Sequence, residues 1–192
     1  MDLKLKIINF LWRNQNTQFT INKIAKSLEE TYSNINKIVT RLVNEKVLDK
    51  KVVWHAFQCS INKNSDKAKA LINLSEIERK EEYFQKHEKL ALLFNDLLKE
   101  LSNNVVCVVL FGSYAKETFS KESDIDLLIL TQKKEDLASI IRKTSSLHNK
   151  EINPLIFTLE EFKKRKKEAV IKEIFDNHII LKGFENFINE VI

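Results

Sequence analysis

An unbroken apolar run, Val105 to Phe111, ends at Gly112, and the chain has only one other glycine, Gly183. Seven apolar residues without alternation suit a strand covered on both faces. Pro154 is the sole proline, so turns elsewhere fall to Asn, Ser, Thr and Asp. Each glycine therefore stands at a position that needs explaining.

The rest of the chain sorts around that strand. Residues 2–13 follow a mostly apolar helical pattern through Leu3, Ile7, Ile8, Phe10 and Leu11. Phe19 to Ile21 reads as a short strand, and a second helix spans about Ile21 to Glu30 with Thr20 as its cap. After a turn at Thr31 to Ser33, Ser33 is placed to cap a third helix reaching about Lys46. Val47-Leu48 and Lys50 to Ile61 read as strands of a hairpin. That order, three helices with a turn before the third and then a basic hairpin, is the order of a winged helix-turn-helix, assigned to residues 1–75. Residues 66–101 read as one long helix, with Ser75 able to cap a new segment near a module boundary at 74–78. This helix reads as a connector, a surface for a homodimer, or a helix packed on its own domain. A second strand at Ile125 to Leu130, a helix at about Lys134 to Leu147 and a third strand at Ile152 to Phe157 follow. A helix from Leu159, a short strand at His178 to Leu181 and a terminal helix complete the chain. The expected class is α+β in two domains: residues 1–75, then residues 76–192 as a helical connector plus a small mixed sheet flanked by helices.

Chemistry concentrates in residues 111–126. The sequence reads Phe111-Gly112-Ser113-Tyr114, and ten residues separate Ser113 from Asp124-Ile125-Asp126. Two carboxylates spaced by two on a strand project to one face and repel each other unless a cation lies between them. Mg²⁺ suits this arrangement, since it is held by one or two carboxylates plus substrate phosphates. Gly112 lets backbone N–H groups approach a ligand, and Ser113 offers a hydroxyl at the start of a helix, where anions are favoured.

Gly112-Ser113, ten residues and then Asp124-Ile125-Asp126 resembles the motif of the polymerase-beta nucleotidyltransferase superfamily in its minimal form, over about Val105 to Gly183. The resemblance implies Asp124 and Asp126 as catalytic metal ligands for Mg²⁺ and Gly112 and Ser113 as contacts to the triphosphate of an NTP, with ATP expected. Transfer of the NMP to a macromolecular acceptor would follow, and pairing with a toxin partner is also implied. One position departs from the pattern. In Ile152-Asn153-Pro154-Leu155-Ile156-Phe157 the family's third carboxylate falls at Asn153, which cannot act as a base. Glu151, two residues before Asn153 and on the same strand face by alternation, is a candidate substitute, and Asn153 itself remains a candidate metal position. Pro154 lacks a ladder donor and marks an edge strand. Asn153 thus keeps open a second reading, a transcriptional regulator or antitoxin whose transferase fold only binds nucleotide.

Charge supports a polyanionic partner for the first domain. Residues 1–75 carry thirteen Lys and Arg against six Asp and Glu, whereas residues 76–192 carry nineteen against twenty-one. In the third helix Ile35, Ile38, Val39, Leu42 and Val43 form the inward stripe. Asn34, Lys37, Thr40, Arg41 and Asn44 face outward with Asn36 beside them, and Lys50 and Lys51 lie in the hairpin. These residue types contact base edges and phosphates, so double-stranded DNA is the expected partner. The five cations Lys163 to Lys167 cannot all face one ligand and read as mostly solvated.

Cys59 and Cys107 read as reduced core residues of a cytoplasmic protein, with a disulfide between them the alternative. His55, His87, His148 and His178 lack zinc-ligand spacing. No apolar run approaches the roughly 20 residues of a membrane span, so no membrane partner is expected.

Overall fold

A computed structural model describes residues 1–15, 17–53 and 56–191. They form a mixed α+β structure that divides into two compact units, residues 1–78 and 79–191.

The first unit opens with helix α1 (Leu3–Arg13), whose N-terminal amide at Leu5 is accepted by the Asp2 carboxylate at 2.8 Å. Strand β1 (Phe19–Thr20) leads into α2 (Ile21–Ser27), and Thr20 caps that helix by accepting from the Lys23 N–H. Helix α3 (Tyr32–Asn44) begins two residues earlier than Ser33 would allow. The cap is Thr31: its backbone is extended and its hydroxyl accepts the Asn34 N–H at 3.3 Å. Ser33 already has helical neighbours on both sides, so it cannot be the flanking residue. Strands β2 (Leu48–Val53) and β3 (Ala56–Ile61) pair antiparallel, with Leu48 opposite Ile61, and β1 adds to the far edge of β3. The break expected between Leu48 and Lys50 is not formed, because Leu48–Val53 is one strand; Trp54 and His55 lie outside the described residues. Leu5, Ile8, Leu11, Ile24, Ile35, Val39, Leu42 and Cys59 close the core at 5% exposure or less.

Helix α4 (Asp66–Lys86) crosses the boundary between the units without a break. Ser75 does not start a new helix. Its hydroxyl, buried, donates to the Ile72 carbonyl and accepts from the Asn9 amide. The long helix ends instead at His87, whose backbone leaves the helical region (φ −128°, ψ 63°), and α5 (Glu88–Glu100) follows. One continuous helix to Leu101 is therefore not formed.

In the second unit the strands are β4 (Val105–Phe111), β5 (Ile125–Thr131), β6 (Ile152–Thr158) and β7 (Ile179–Lys182), in the order β6-β5-β4-β7. Only the β5–β6 pair is parallel. β6 lies at an edge, where Pro154 needs no outward donor. Val108, Leu110, Leu127 and Ile129 pack with Leu90, Leu93, Phe94 and Leu97 of α5 and with Ile141 of α7 (Ala138–His148). Their alternates Cys107, Val109, Leu128 and Leu130 are fully buried too, so the two central strands are covered on both faces. Helix α7 starts four residues later than expected, because the Asp136 carboxylate accepts the Ala138 N–H and holds the preceding segment as a turn. Helices α8 (Leu159–Arg165), α9 (Ala169–Asp176) and α10 (Phe184–Val191) complete the unit. α8 opens on a reciprocal cap between Thr158 and Glu161. Both cysteines are free and buried, one in each unit, Cys59 in the first and Cys107 in the second. No helix of the described residues is long and apolar enough to cross a membrane.

Candidate active site

Strand β4 carries the chain outward to Gly112, where φ turns to +69°. A Cβ at this position would stand 2.2 Å from Asp126 Oδ2. The glycine is required twice, for the backbone angle and for the carboxylate packed against its Cα. Register explains the contact: Phe111 pairs with Asp126 across β4 and β5. The single-turn helix α6 (Gly112–Ala115) then places Ser113 beside the same end of the sheet, half-buried. Four residues make only a small dipole, so the expected favourable helix end reduces here to individual N–H groups and the Ser113 hydroxyl.

Asp124 is exposed immediately before β5, and Asp126 is half-buried as the second residue of that strand. Burial raises the Asp126 proton affinity first, and the negative charges of Asp124 and Glu173 add to it. Asn153 works the other way: it lies opposite Asp126 in the β5–β6 register and hydrogen-bonds its carboxylate. Glu151 is exposed and precedes β6, with its carbonyl accepting the Ile125 N–H at 2.9 Å. It is not a strand residue, so the alternation that put it on the same face as Asn153 does not apply to it.

Two residues that sequence reasoning did not single out join the site. Lys116, three positions after Ser113, pairs with Glu173 of α9 at 2.6 Å. The Lys116 signal was its closeness to Gly112-Ser113. Glu173 had none, since a contact spanning 57 residues leaves no local mark.

A divalent cation fits this donor set. The carboxylates of Asp124 and Asp126 repel, and Gly112 lets the Asp126 carboxylate lie against the backbone where a side chain would displace it. Among the described residues no group of three or more His, Cys, Asp or Glu could hold a metal by itself. A site of one or two carboxylates is the kind that Mg²⁺ completes with substrate phosphates and water.

The outward residues of α3 lie where the sequence places them. Asn34, Lys37, Thr40, Arg41 and Asn44 are exposed and Asn36 half-buried, while Ile38 and Val43 are only half-buried. Arg41 is engaged with Glu45 at 2.8 Å, and Lys67 reaches the same carboxylate at 2.7 Å. Those two partners hold Glu45 down to about 2. On the hairpin Lys51 is exposed and the Lys50 ammonium sits 3.6 Å above the Phe57 ring. Of the basic run, Lys163 and Lys166 pair with Glu190, and Arg165 pairs with Glu168.

Residues 91–181 match the family model of the nucleotidyltransferase domain. This stretch runs from within α5 to β7 and contains Gly112, Ser113, Lys116, Asp124, Asp126, Glu151, Asn153 and Glu173, so the second unit is nucleotidyltransferase-like. A solved structure described as "Crystal structure of the toxin-antitoxin with AMP-PNP" is similar at 17% identity and a TM-score of 0.41, covering 52% of this chain and 82% of that one. No curated protein matches the chain.

Proposed function

We propose that the protein is a Mg²⁺-dependent nucleotidyltransferase that moves the NMP of an NTP, ATP by preference, onto a macromolecular acceptor. The observation that carries this reading is the packing of the Asp126 carboxylate onto Gly112, with Asp124 two residues before it and Ser113 next in the chain. Asp124 and Asp126 would hold the metal, which when bound neutralises phosphate charge and polarises the α-phosphoryl group. Gly112 admits the phosphates close to the backbone, and the Ser113 hydroxyl orients them. Asn153 fixes the rotamer of Asp126 through its amide. The acceptor oxygen bonds to the α-phosphorus, the bond to the β-phosphate oxygen breaks, and pyrophosphate leaves. Asn153 offers no base, so the acceptor's proton passes to solvent. The first unit, residues 1–75, is proposed as a winged helix-turn-helix that holds double-stranded DNA through α3 and the β2–β3 hairpin, in a cytoplasmic protein.

Asn153 favours one rival: a DNA-binding regulator or antitoxin component that binds nucleotide without transferring it. Incubation with α-labelled NTPs, Mg²⁺ and cell extract separates the two. Label carried to an acceptor by wild type and not by Asp124→Asn/Asp126→Asn is expected. Binding of NTP with no label transferred to any acceptor would replace the enzyme with the regulator.

A further inference from the structure

A cavity of about 770 Å³ opens in the second unit where α4 gives way to α5, and none of Gly112, Ser113, Asp124 or Asp126 lines it. Its volume is that of a site for a drug-sized or nucleotide-sized molecule. One wall is aromatic: Phe119 stacks on the buried Tyr114 ring with centroids 4.2 Å apart and planes 12° from parallel. Phe119 is itself half-exposed, so it can receive a further ring. His87 meets its edge at 5.5 Å.

The polar groups at this wall are unevenly matched. His87 Nε2 is shielded from solvent and makes no hydrogen bond, and the Glu117 carboxylate, already paired with Lys86, stands 3.9 Å from it. Four lysines line the opening (Lys86, Lys89, Lys121 and Lys150) against the single acid Glu88. Lys150 donates to the Lys121 carbonyl at 2.7 Å and lies 5.7 Å from the Tyr114 ring centre, which fixes the position of its charge. Lys89 and Lys121 have no ion-pair partner among the described residues.

The geometry points to a second nucleotide site, separate from the paired aspartates and independent of metal. A ring stacked on Phe119 lies beside the His87 edge, among lysines and backbone polar groups, where a nitrogen heterocycle is matched better than a plain hydrocarbon ring. The lysines select an anion attached to that ring. A base bearing a phosphate meets both demands, either as a free nucleoside monophosphate or as the end of a nucleic-acid strand. Stacking on an exposed aromatic with cations alongside is the physics of base capture without sequence readout. The cavity wall is also the loop joining Ser113 to Asp124. Tyr114 donates to the Ser123 carbonyl at 3.2 Å, and Ser123 Oγ accepts the Ser120 N–H, so an occupant braces the segment that delivers Asp124.

Equilibrium dialysis of the full chain with labelled AMP in EDTA tests this, with adenosine and inorganic phosphate as half-ligands and the trinucleotide pApApA as the strand end. Saturable AMP binding is expected, with adenosine and phosphate each weaker by about tenfold or more. Lys89→Glu/Lys121→Glu, both at exposed positions, should lose it, and Phe119→Leu should weaken it about tenfold. Asp124→Asn/Asp126→Asn should keep it. Tighter binding of pApApA than AMP assigns a strand end, and equal binding assigns the free nucleotide. Absence of saturable AMP binding, its loss in the aspartate variant, or its survival in the double lysine variant would each overturn the assignment. The aspartate variant also keeps this result distinct from any failure of nucleotidyl transfer.

Discussion

Glu76 in the first unit and Asp126 in the second both hold a proton more tightly than an ordinary carboxyl, and their surroundings differ. Glu76 is 1% exposed, and burial raises it to about 7 although Arg13 and the Asn9 amide favour its charged form. Asp126 is raised by burial as well, but its charged neighbours Asp124 and Glu173 push in the same direction. A carboxyl with cationic and amide partners is compensated in part, and the rest of its burial cost is met by keeping its proton. The first arrangement serves a fold, and the second, a carboxyl crowded by its own kind, is one that a bound cation would relieve.

The largest effect expected from this difference is at Asp126. Asp126→Asn should reduce nucleotidyl transfer on the order of a thousandfold, the several kcal/mol that a bound metal contributes. Stability in metal-free buffer should hold or rise, because a repelled charge is removed. A fall in Tm matching the loss of activity would show that Asp126 is structural, as Glu76 is, and would erase the contrast between the two carboxyls.

Glu76 should behave in the opposite way. Its folded value of about 7 lies above its ordinary 4.5. Between those values the folded state keeps a proton that the unfolded state releases. The contribution is therefore fully present below about pH 4.5 and is lost as pH rises to about 7, by about 3 kcal/mol. Glu76→Gln keeps the oxygen that accepts from Asn9 and cannot ionise. Thermal melts should show the variant close to wild type at pH 4.5 and more stable at pH 8, with transfer activity unchanged. Parallel pH profiles for the two proteins would remove Glu76 as the cause.

How much of this the sequence announces follows from the range of the interactions. Val105 to Phe111, Gly112 and the Asp124-Ile125-Asp126 spacing are local, and the two-residue spacing keeps both aspartates at one end of the sheet although Asp124 lies just before β5. The packing of Asp126 on Gly112 adds only the β4–β5 register, which a short connection sets. Lys116–Glu173 and the His87–Phe119 wall join residues far apart in the chain, so no window of sequence contains them. The break at His87 is illegible for another reason. Residues on both sides of it favour helix, and only the tertiary packing of Tyr83 and Leu90 separates α4 from α5. The caps show a smaller version of the same problem: Thr31 and Ser33 have equal local chemistry, and two residues of helix decide between them.

The smallest effect concerns the exposed cations of α3, where the first unit spreads its chemistry over many side chains while the second concentrates it in four. Lys37 has no ion-pair partner among the described residues, whereas Arg41 is held by Glu45 within a network shared with Lys67. If α3 faces DNA, removing one cation from a phosphate should lower the slope of log affinity against log salt by about 1. Lys37→Ala should show that change in duplex binding titrated over salt. Arg41→Ala should show less, because its guanidinium must leave Glu45 before it can reach a phosphate, and that exchange of one anion for another gains little. Lys164→Ala, an exposed cation of the second unit, serves as the control and should leave the slope unchanged. Equal slopes for all three variants would move the nucleic-acid interface off α3. A larger reduction for Arg41 than for Lys37 would show that Glu45 positions the guanidinium for DNA rather than occupying it.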